Sequence, residues 1–170
     1  MEEDIAYTRA IIDRIEQDHL VDRERIFAIG HSNGGGFALS LACFAPDLVA
    51  GVSAASGIYY DPGTPKTGQC AGDPVPVMIE HSSNDGLSWI DGGTAHGAHY
   101  MGARQLSESW AEINGCSART VTRPVAHEVT AHVYQDCVAP TEFVVSENDG
   151  HGWPHYASFQ AWDFFSRLAS

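Results

Sequence analysis

The chain holds a single lysine, Lys66, among its 170 residues, and its formal net charge is −13. Nucleic acid and anionic membrane surfaces would repel such a chain, so neither is expected as a partner. It has no apolar run long enough to cross a bilayer as a helix. Its first residues, Met1-Glu2-Glu3-Asp4, lack the basic and apolar regions of a signal peptide. It also lacks any Cys-x-x-Cys pair. The four cysteines, Cys43, Cys70, Cys116 and Cys137, are scattered, which argues against a zinc site. His96 and His99 have no nearby carboxylate or cysteine to complete a metal site, so neither a metal nor an organic cofactor is expected. Internal repeats, low-complexity segments and inter-domain linkers are missing too. A chain of this length can form one domain with a sizeable core, and its 44 % hydrophobic content suits a globular protein.

Against these absences stands Gly30-His31-Ser32-Asn33-Gly34, a Gly-x-Ser-x-Gly match. Arg25-Ile26-Phe27-Ala28-Ile29 before it reads as a buried strand, and Gly35 to Ala42 after it reads as a helix. A serine on a sharp strand-to-helix turn projects its hydroxyl clear of the backbone. The glycines let strand and helix approach, and the helix N-terminus directs free N–H groups toward negative charge forming beside the serine. Ser32 is therefore the candidate nucleophile.

A serine hydroxyl needs a base, and the base needs an orienting acid. In this architecture the chain order is Ser, then Asp or Glu, then His. Asp85 follows the apolar run Val75 to His81, and His151 follows the apolar run Thr141 to Ser146. Open α/β sheets carry their sites at such strand C-termini. Asp85-Gly86 also reads as a plain turn, and His151 as a surface histidine in a Gly-rich loop. His81, His132 and His155 are rival bases; Asp73 and Asp91 are rival acids.

Along the chain, the spacing of Ile5, Thr8, Ile12 and Ile15 predicts an amphipathic helix over 4–19. Strands are expected at 25–30, 49–55, 75–80 and 141–146, with the elbow helix running to about Ala45. Residues 61–74 and 86–101 read as loops, the second long, Gly-rich and close to Asp85. A helix is expected at 103–113, ending at Asn114-Gly115, and an extra antiparallel strand at 127–134. Phe159, Trp162, Phe165 and Leu168 read as one face of a last helix.

Several segments together resemble the secreted feruloyl esterases, which group with acetyl xylan esterases and polyhydroxyalkanoate depolymerases among the α/β-hydrolases. They are Tyr7 to Asp13, Val21 to Phe27, Ser32-Asn33-Gly34-Gly35-Gly36-Phe37, Ser56-Gly57-Ile58-Tyr59-Tyr60, Asp91-Gly92-Gly93, Trp110 to Cys116 and Gly150-His151-Gly152-Trp153-Pro154. The resemblance runs over essentially the whole chain, in order. It implies a single, incomplete α/β-hydrolase catalytic domain over 1–170: a mostly parallel sheet flanked by helices and lacking the N-terminal strands. It implies Ser32, Asp85 and His151 as a serine-esterase triad, with two local disulfides, Cys43–Cys70 and Cys116–Cys137. Four free thiols are the alternative.

Disulfides point to an oxidising compartment, so the full-length form is expected to be secreted. Asn33 would supply one oxyanion-hole N–H. The family's other donor lies on a loop of the N-terminal part absent here, and losing one such donor costs about 3–4 kcal/mol of transition-state stabilisation. Tyr59, Tyr60, Trp89 and Trp153 lie on candidate site loops and either stack a phenolic acyl group or a sugar, or pack in the core. The substrate implied first is a feruloyl ester of plant cell-wall xylan; acetylated xylan or a polyester comes second, and an inert truncated fragment is a further alternative. The chain departs from the family in His81-Ser82-Ser83-Asn84-Asp85, which stands where the family has His-Gly-Thr-Ala-Asp, and in Leu87-Ser88-Trp89-Ile90. Without the N-terminal strands, strand 25–30 is expected to be an open apolar edge: either two copies pair through it or the chain is poorly soluble, unless the 127–134 strand or the N-terminal residues fold over and cover it.

Overall fold

The computed structural model describes residues 1–57, 70, 72–95 and 97–168. Its elements are α1 (Glu2–Glu16), β1 (Phe27–His31), α2 (Asn33–Phe44), β2 (Gly51–Ala55), β3 (Val77–Ser82), β4 (Gly92–Ala95), β5 (Ala98–Met101), α3 (Ala103–Ile113), β6 (Thr120–Ala126), β7 (Val129–Tyr134), β8 (Thr141–Ser146) and α4 (Ala157–Leu168). Six strands form one sheet in the order β1-β2-β3-β8-β7-β6. The first four are parallel, and β7 and β6 are antiparallel. Every residue of β2 and β3 is buried, as expected for strands of a parallel sheet covered on both faces.

The sheet separates two cores. On one face α2 and α3 pack around Leu41, Val52, Val77, Ile79, Leu106, Trp110 and Phe143, and α1 contributes Ile5 and Ile12. On the other, α4 covers Met78, Ala131 and Val144 with Ala161, Phe164 and Phe165, and Phe165 stacks on Phe27 of β1 at 4.4 Å. Buried Asn114 joins α3 to the sheet. Its amide donates to the Val75 carbonyl and the Thr141 hydroxyl, both at 2.8 Å, and its carbonyl accepts from the Val75 N–H at 3.0 Å.

The structure corrects four expectations. α1 stops at Glu16, and Ile15 is exposed rather than on the buried face. The stretch 86–101 holds the antiparallel hairpin β4–β5, so it is not a plain loop. A second antiparallel strand, β6, pairs with β7 where the sequence gives none; Pro124 within the run argues against a strand, and it is tolerated because β6 is the edge of the sheet. On α4 the buried face is Ala157, Gln160, Ala161, Phe164 and Phe165, and Phe159 and Trp162 point to solvent.

Disulfides join Cys43 to Cys70 and Cys116 to Cys137, across 27 and 21 residues. In the loop-entropy account each stabilises the fold by about 3 kcal/mol. Reduction is expected to lower the denaturation midpoint, and thiol titration of the unreduced, unfolded chain should find no reactive groups. Four reactive thiols would contradict both bonds.

Candidate active site

The turn between β1 and α2 places Ser32 at φ 54° and ψ −121°, a left-handed conformation that a non-glycine residue holds only when its surroundings enforce it. Two glycines permit the tight turn that holds it. A Cβ on Gly30 would lie 2.0 Å from the Gly34 carbonyl oxygen, and one on Gly35 would lie 2.9 Å from that of Ala55. Gly34 has open space around it, so close approach demands Gly30 and Gly35 rather than both glycines of the motif. The Ser32 N–H donates to the Ala55 carbonyl at 2.9 Å and ties the turn to the end of β2. Asn33 is the first residue of α2, where an N–H has no partner within the helix.

The ends of β1, β3 and β8 bring Ser32, Asp85 and His151 together across 119 and 66 residues of chain. His151 Nε2 lies 3.0 Å from Ser32 Oγ, and His151 Nδ1 lies 2.8 Å from Asp85 Oδ2. The Asp85 carboxylate is buried. Its Oδ1 accepts from the N–H groups of Leu87 and Ser88, both at 2.9 Å, and its Oδ2 also accepts from the Ser88 hydroxyl at 2.9 Å. Burial alone would raise this carboxyl, but the hydrogen bonds from His151, Leu87 and Ser88 outweigh it and hold Asp85 below the usual carboxylate range.

The rivals lie elsewhere or in other roles. His81 is buried and donates from Nε2 to the Ser88 carbonyl at 2.7 Å, and burial holds it below the usual histidine range and so neutral. His132 stacks against Phe143. His155 pairs with Asp149 at 2.9 Å. Asp73 and Asp91 are exposed.

The loop carrying His151 is held at further points that the sequence reading did not assign. The Asp149 N–H donates to Ser82 Oγ at 3.1 Å, and the Gly150 N–H donates to Asn84 Oδ1 at 2.8 Å. His31 Nε2 donates to the His151 carbonyl at 2.9 Å. The signal for them lies in Ser82 and Asn84, whose polar side chains stand where the resembling family has glycine and alanine.

Of the four aromatic residues, Tyr59 and Tyr60 lie outside the described residues. Trp89 is 61 % exposed and directly follows Ser88; Trp153 is 43 % exposed and sets its edge against the His31 ring at 6.1 Å. Neither packs in the core. Among the described residues no group of three or more His, Cys, Asp or Glu side chains is placed to hold a metal ion.

Comparison with known proteins gives a consistent picture. The Esterase family model, described as "Putative esterase", matches residues 6–166. The chain is 29 % identical over 171 residues to an Aspergillus terreus protein named "Probable feruloyl esterase C", covering 96 % of this chain and 58 % of that one. It is 27 % identical over 172 residues to feruloyl esterase C of Emericella nidulans, covering 96 % and 57 %. The chain thus spans under three fifths of the length of these curated relatives. Among solved structures, the acetyl xylan esterase of Aspergillus awamori superposes with a TM-score of 0.65 at 15 % identity, covering 94 % of this chain and 66 % of that one. The Bacillus cereus carboxylesterase superposes with a TM-score of 0.63 at 17 % identity, covering 98 % and 63 %. These likenesses carry the fold: an α/β-hydrolase-like, mostly parallel sheet flanked by helices.

Proposed function

This chain belongs to the Esterase family, and on that premise we propose that it is a serine carboxylic-ester hydrolase. Ser32 is the nucleophile, His151 the general base and Asp85 the orienting acid. The observation that carries this reading is the hydrogen-bonded line from Ser32 Oγ through both His151 nitrogens to Asp85, at 3.0 and 2.8 Å. Ser32 Oγ attacks the ester carbonyl while His151 Nε2 takes its proton, and Asp85 holds the Nδ1–H and stabilises the charged ring. The Asn33 N–H at the start of α2 donates to the developing oxyanion. Collapse expels the alcohol, which receives the proton from His151, and leaves an acyl-Ser32. Water, activated by His151, then releases the acid and restores the serine. No metal or organic cofactor is required.

The substrate class is a feruloyl ester, as the names of the curated relatives suggest; plant cell-wall xylan as its carrier is what the family resemblance of the sequence implies. The exposed rings of Trp89 and Trp153 suit stacking on a phenolic acyl group or a sugar, with Tyr59 and Tyr60 assigned to the same role from sequence. Residues 1–170 act as a single catalytic domain of a secreted enzyme, a reading its two disulfides support. Neither nucleic acid nor membrane is a partner. Purified chain offered methyl ferulate and p-nitrophenyl acetate is expected to turn over both. Preference for the acetate would favour an acetyl-ester or polyester substrate, and no turnover above buffer would identify an inert fragment. The rate should fall toward acid, because a protonated imidazole accepts no proton.

A homodimer through β1 belongs to the same proposal. Among the described residues β1 pairs only with β2, which leaves its outer N–H and C=O groups without a strand partner. Ile29 on it is 45 % exposed, and the open edge is a template for a second strand. Phe165 of α4 stacks on Phe27 of β1 at 4.4 Å and holds the strand from the helix side. Two copies are expected to pair β1 with β1 about a two-fold axis. Light scattering should give a dimer that Ile29→Lys dissociates; a monomer at high concentration would refute the pairing.

A further inference from the structure

We propose that Ser88 is a positioning residue whose hydroxyl turns between Asp85 and the Ser56 carbonyl as His151 gains and loses its proton. The inference rests on the assignment of His151 as the base. It assigns a role to a residue that the triad mechanism does not use.

Ser88 is fully buried, and its Oγ lies within hydrogen-bond reach of three groups: the Ser56 carbonyl at 3.0 Å, Asp85 Oδ2 at 2.9 Å and His151 Nδ1 at 3.2 Å. A hydroxyl has one proton to give and two lone pairs to receive. The Ser56 oxygen and the Asp85 carboxylate both only accept, so they compete for that proton. His151 Nδ1 must carry its own proton toward Asp85 Oδ2 at 2.8 Å, because the base nitrogen facing Ser32 is Nε2. Ser88 Oγ can therefore act on His151 only by receiving.

Two arrangements follow, and the charge on the ring decides between them. While His151 is neutral, the carboxylate is the stronger acceptor and draws the Ser88 proton, since hydrogen bonds to an ionised group exceed those to a carbonyl. When His151 takes the Ser32 proton, its Nδ1–H donates more strongly. A hydroxyl proton aimed at the same Oδ2 then lies beside a positive ring. Turned to the Ser56 carbonyl, the hydroxyl presents a lone pair to Nδ1–H instead, and the charged ring gains a second acceptor. Only a hydrogen moves; the bond from Ser88 to Asp85 Oδ2 is given up, and the charged ring offsets that loss by sharing its Nδ1–H between Oδ2 at 2.8 Å and Ser88 Oγ at 3.2 Å.

The heavy atoms are held for it on every side. The Ser88 N–H donates to Asp85 Oδ1 at 2.9 Å, and the Ser88 carbonyl accepts from His81 at 2.7 Å. Ser56 sits at φ 48° and donates its N–H to the Glu80 carbonyl at 2.9 Å, which ties it to β3. The other ionisable groups facing this pair are His31, whose ring centroid lies 5.2 Å from that of His151, and His81, whose Nε2 lies 3.6 Å from Asp85 Oδ2. Neither reaches His151 Nδ1 with a lone pair in place of Ser88.

The test is Ser88→Ala, with Ser88→Cys as a second variant that keeps the volume and weakens the hydrogen bond. Losing one acceptor used mainly by the charged ring should lower kcat roughly tenfold with KM little changed. The acid limb of the rate profile should move to lower pH in the alanine variant, and less far in the cysteine variant. A merely structural hydroxyl, or one that only weakens Asp85, predicts no movement or movement to higher pH, and either result overturns the proposal. The downfield proton resonance of His151 Nδ1, followed by NMR through acidification, reads the same contact without turnover. It should shift between wild type and both variants, and an unchanged resonance would also overturn the proposal. If the wild-type chain hydrolyses no ester, the assignment of function fails, and this resonance still decides whether Ser88 engages the ring.

Discussion

Replacing Ser32 by Ala is expected to lower ester turnover by about four to six orders of magnitude, with the fold intact. The alanine keeps the strained backbone position of the elbow and removes only the oxygen 3.0 Å from His151 Nε2. His151→Ala should cost about as much. The double variant should be no worse than either single one, because nucleophile and base act as one unit. Initial rates on p-nitrophenyl acetate, with thermal melting to verify folding, check this. Additive losses, or a serine variant retaining a tenth of the rate, would place the chemistry elsewhere.

The second large effect concerns Glu80, a carboxyl buried inside β3 two positions after Met78 on the same face of the strand. Ser53 donates to its Oε1 at 2.6 Å, and its Oε2 has no partner among the described residues. Burial drives its pKa from the ordinary 4.5 up to about 8; the Ser53 hydrogen bond opposes that shift and the charge on Glu142 adds to it. The native state thus keeps a proton that the unfolded chain releases. The stabilising contribution is complete below the ordinary carboxylate value and is lost as pH rises toward about 8, at about 1.4 kcal/mol per pH unit. Glu80→Gln removes this dependence. Denaturant unfolding at pH 5, 6, 7 and 8 should show the variant gaining on wild type at each step upward. Parallel stabilities across that range would mean that Glu80 ionises normally in the folded protein.

What the sequence reveals and what it hides have physical causes. The helix at 103–113 and the strand at 141–146 have their expected bounds, because helical and strand periodicities are local properties of a chain. The residues of the Ser32–His151–Asp85 line could be read because each follows an apolar strand in the expected order. The hairpin β4–β5 is hidden in the sequence, because Gly92, Gly93 and Gly97 give no strand signal and only the pairing of Gly92–Ala95 with Ala98–Met101 makes it sheet. The face of α4 was misread for the opposite reason. Phe159 and Trp162 are apolar, and only the position of the sheet says that Ala161 and Phe164 face it instead. Leu87-Ser88-Trp89-Ile90 stands out as a departure from the resembling family, and Asp85 is only three residues from Ser88, but the contacts of Ser88 with Ser56 and His151 span 32 and 63 residues and no local pattern shows them.

The central claim is that Ser32 forms an acyl-enzyme. Its most direct test is peptide mass mapping of the purified chain after brief reaction with a p-nitrophenyl ester and acid quenching, or with a fluorophosphonate probe. The account predicts one adduct, on the peptide carrying Ser32, that is lost in Ser32→Ala. An adduct on any other residue, or hydrolysis that proceeds without one, would contradict it.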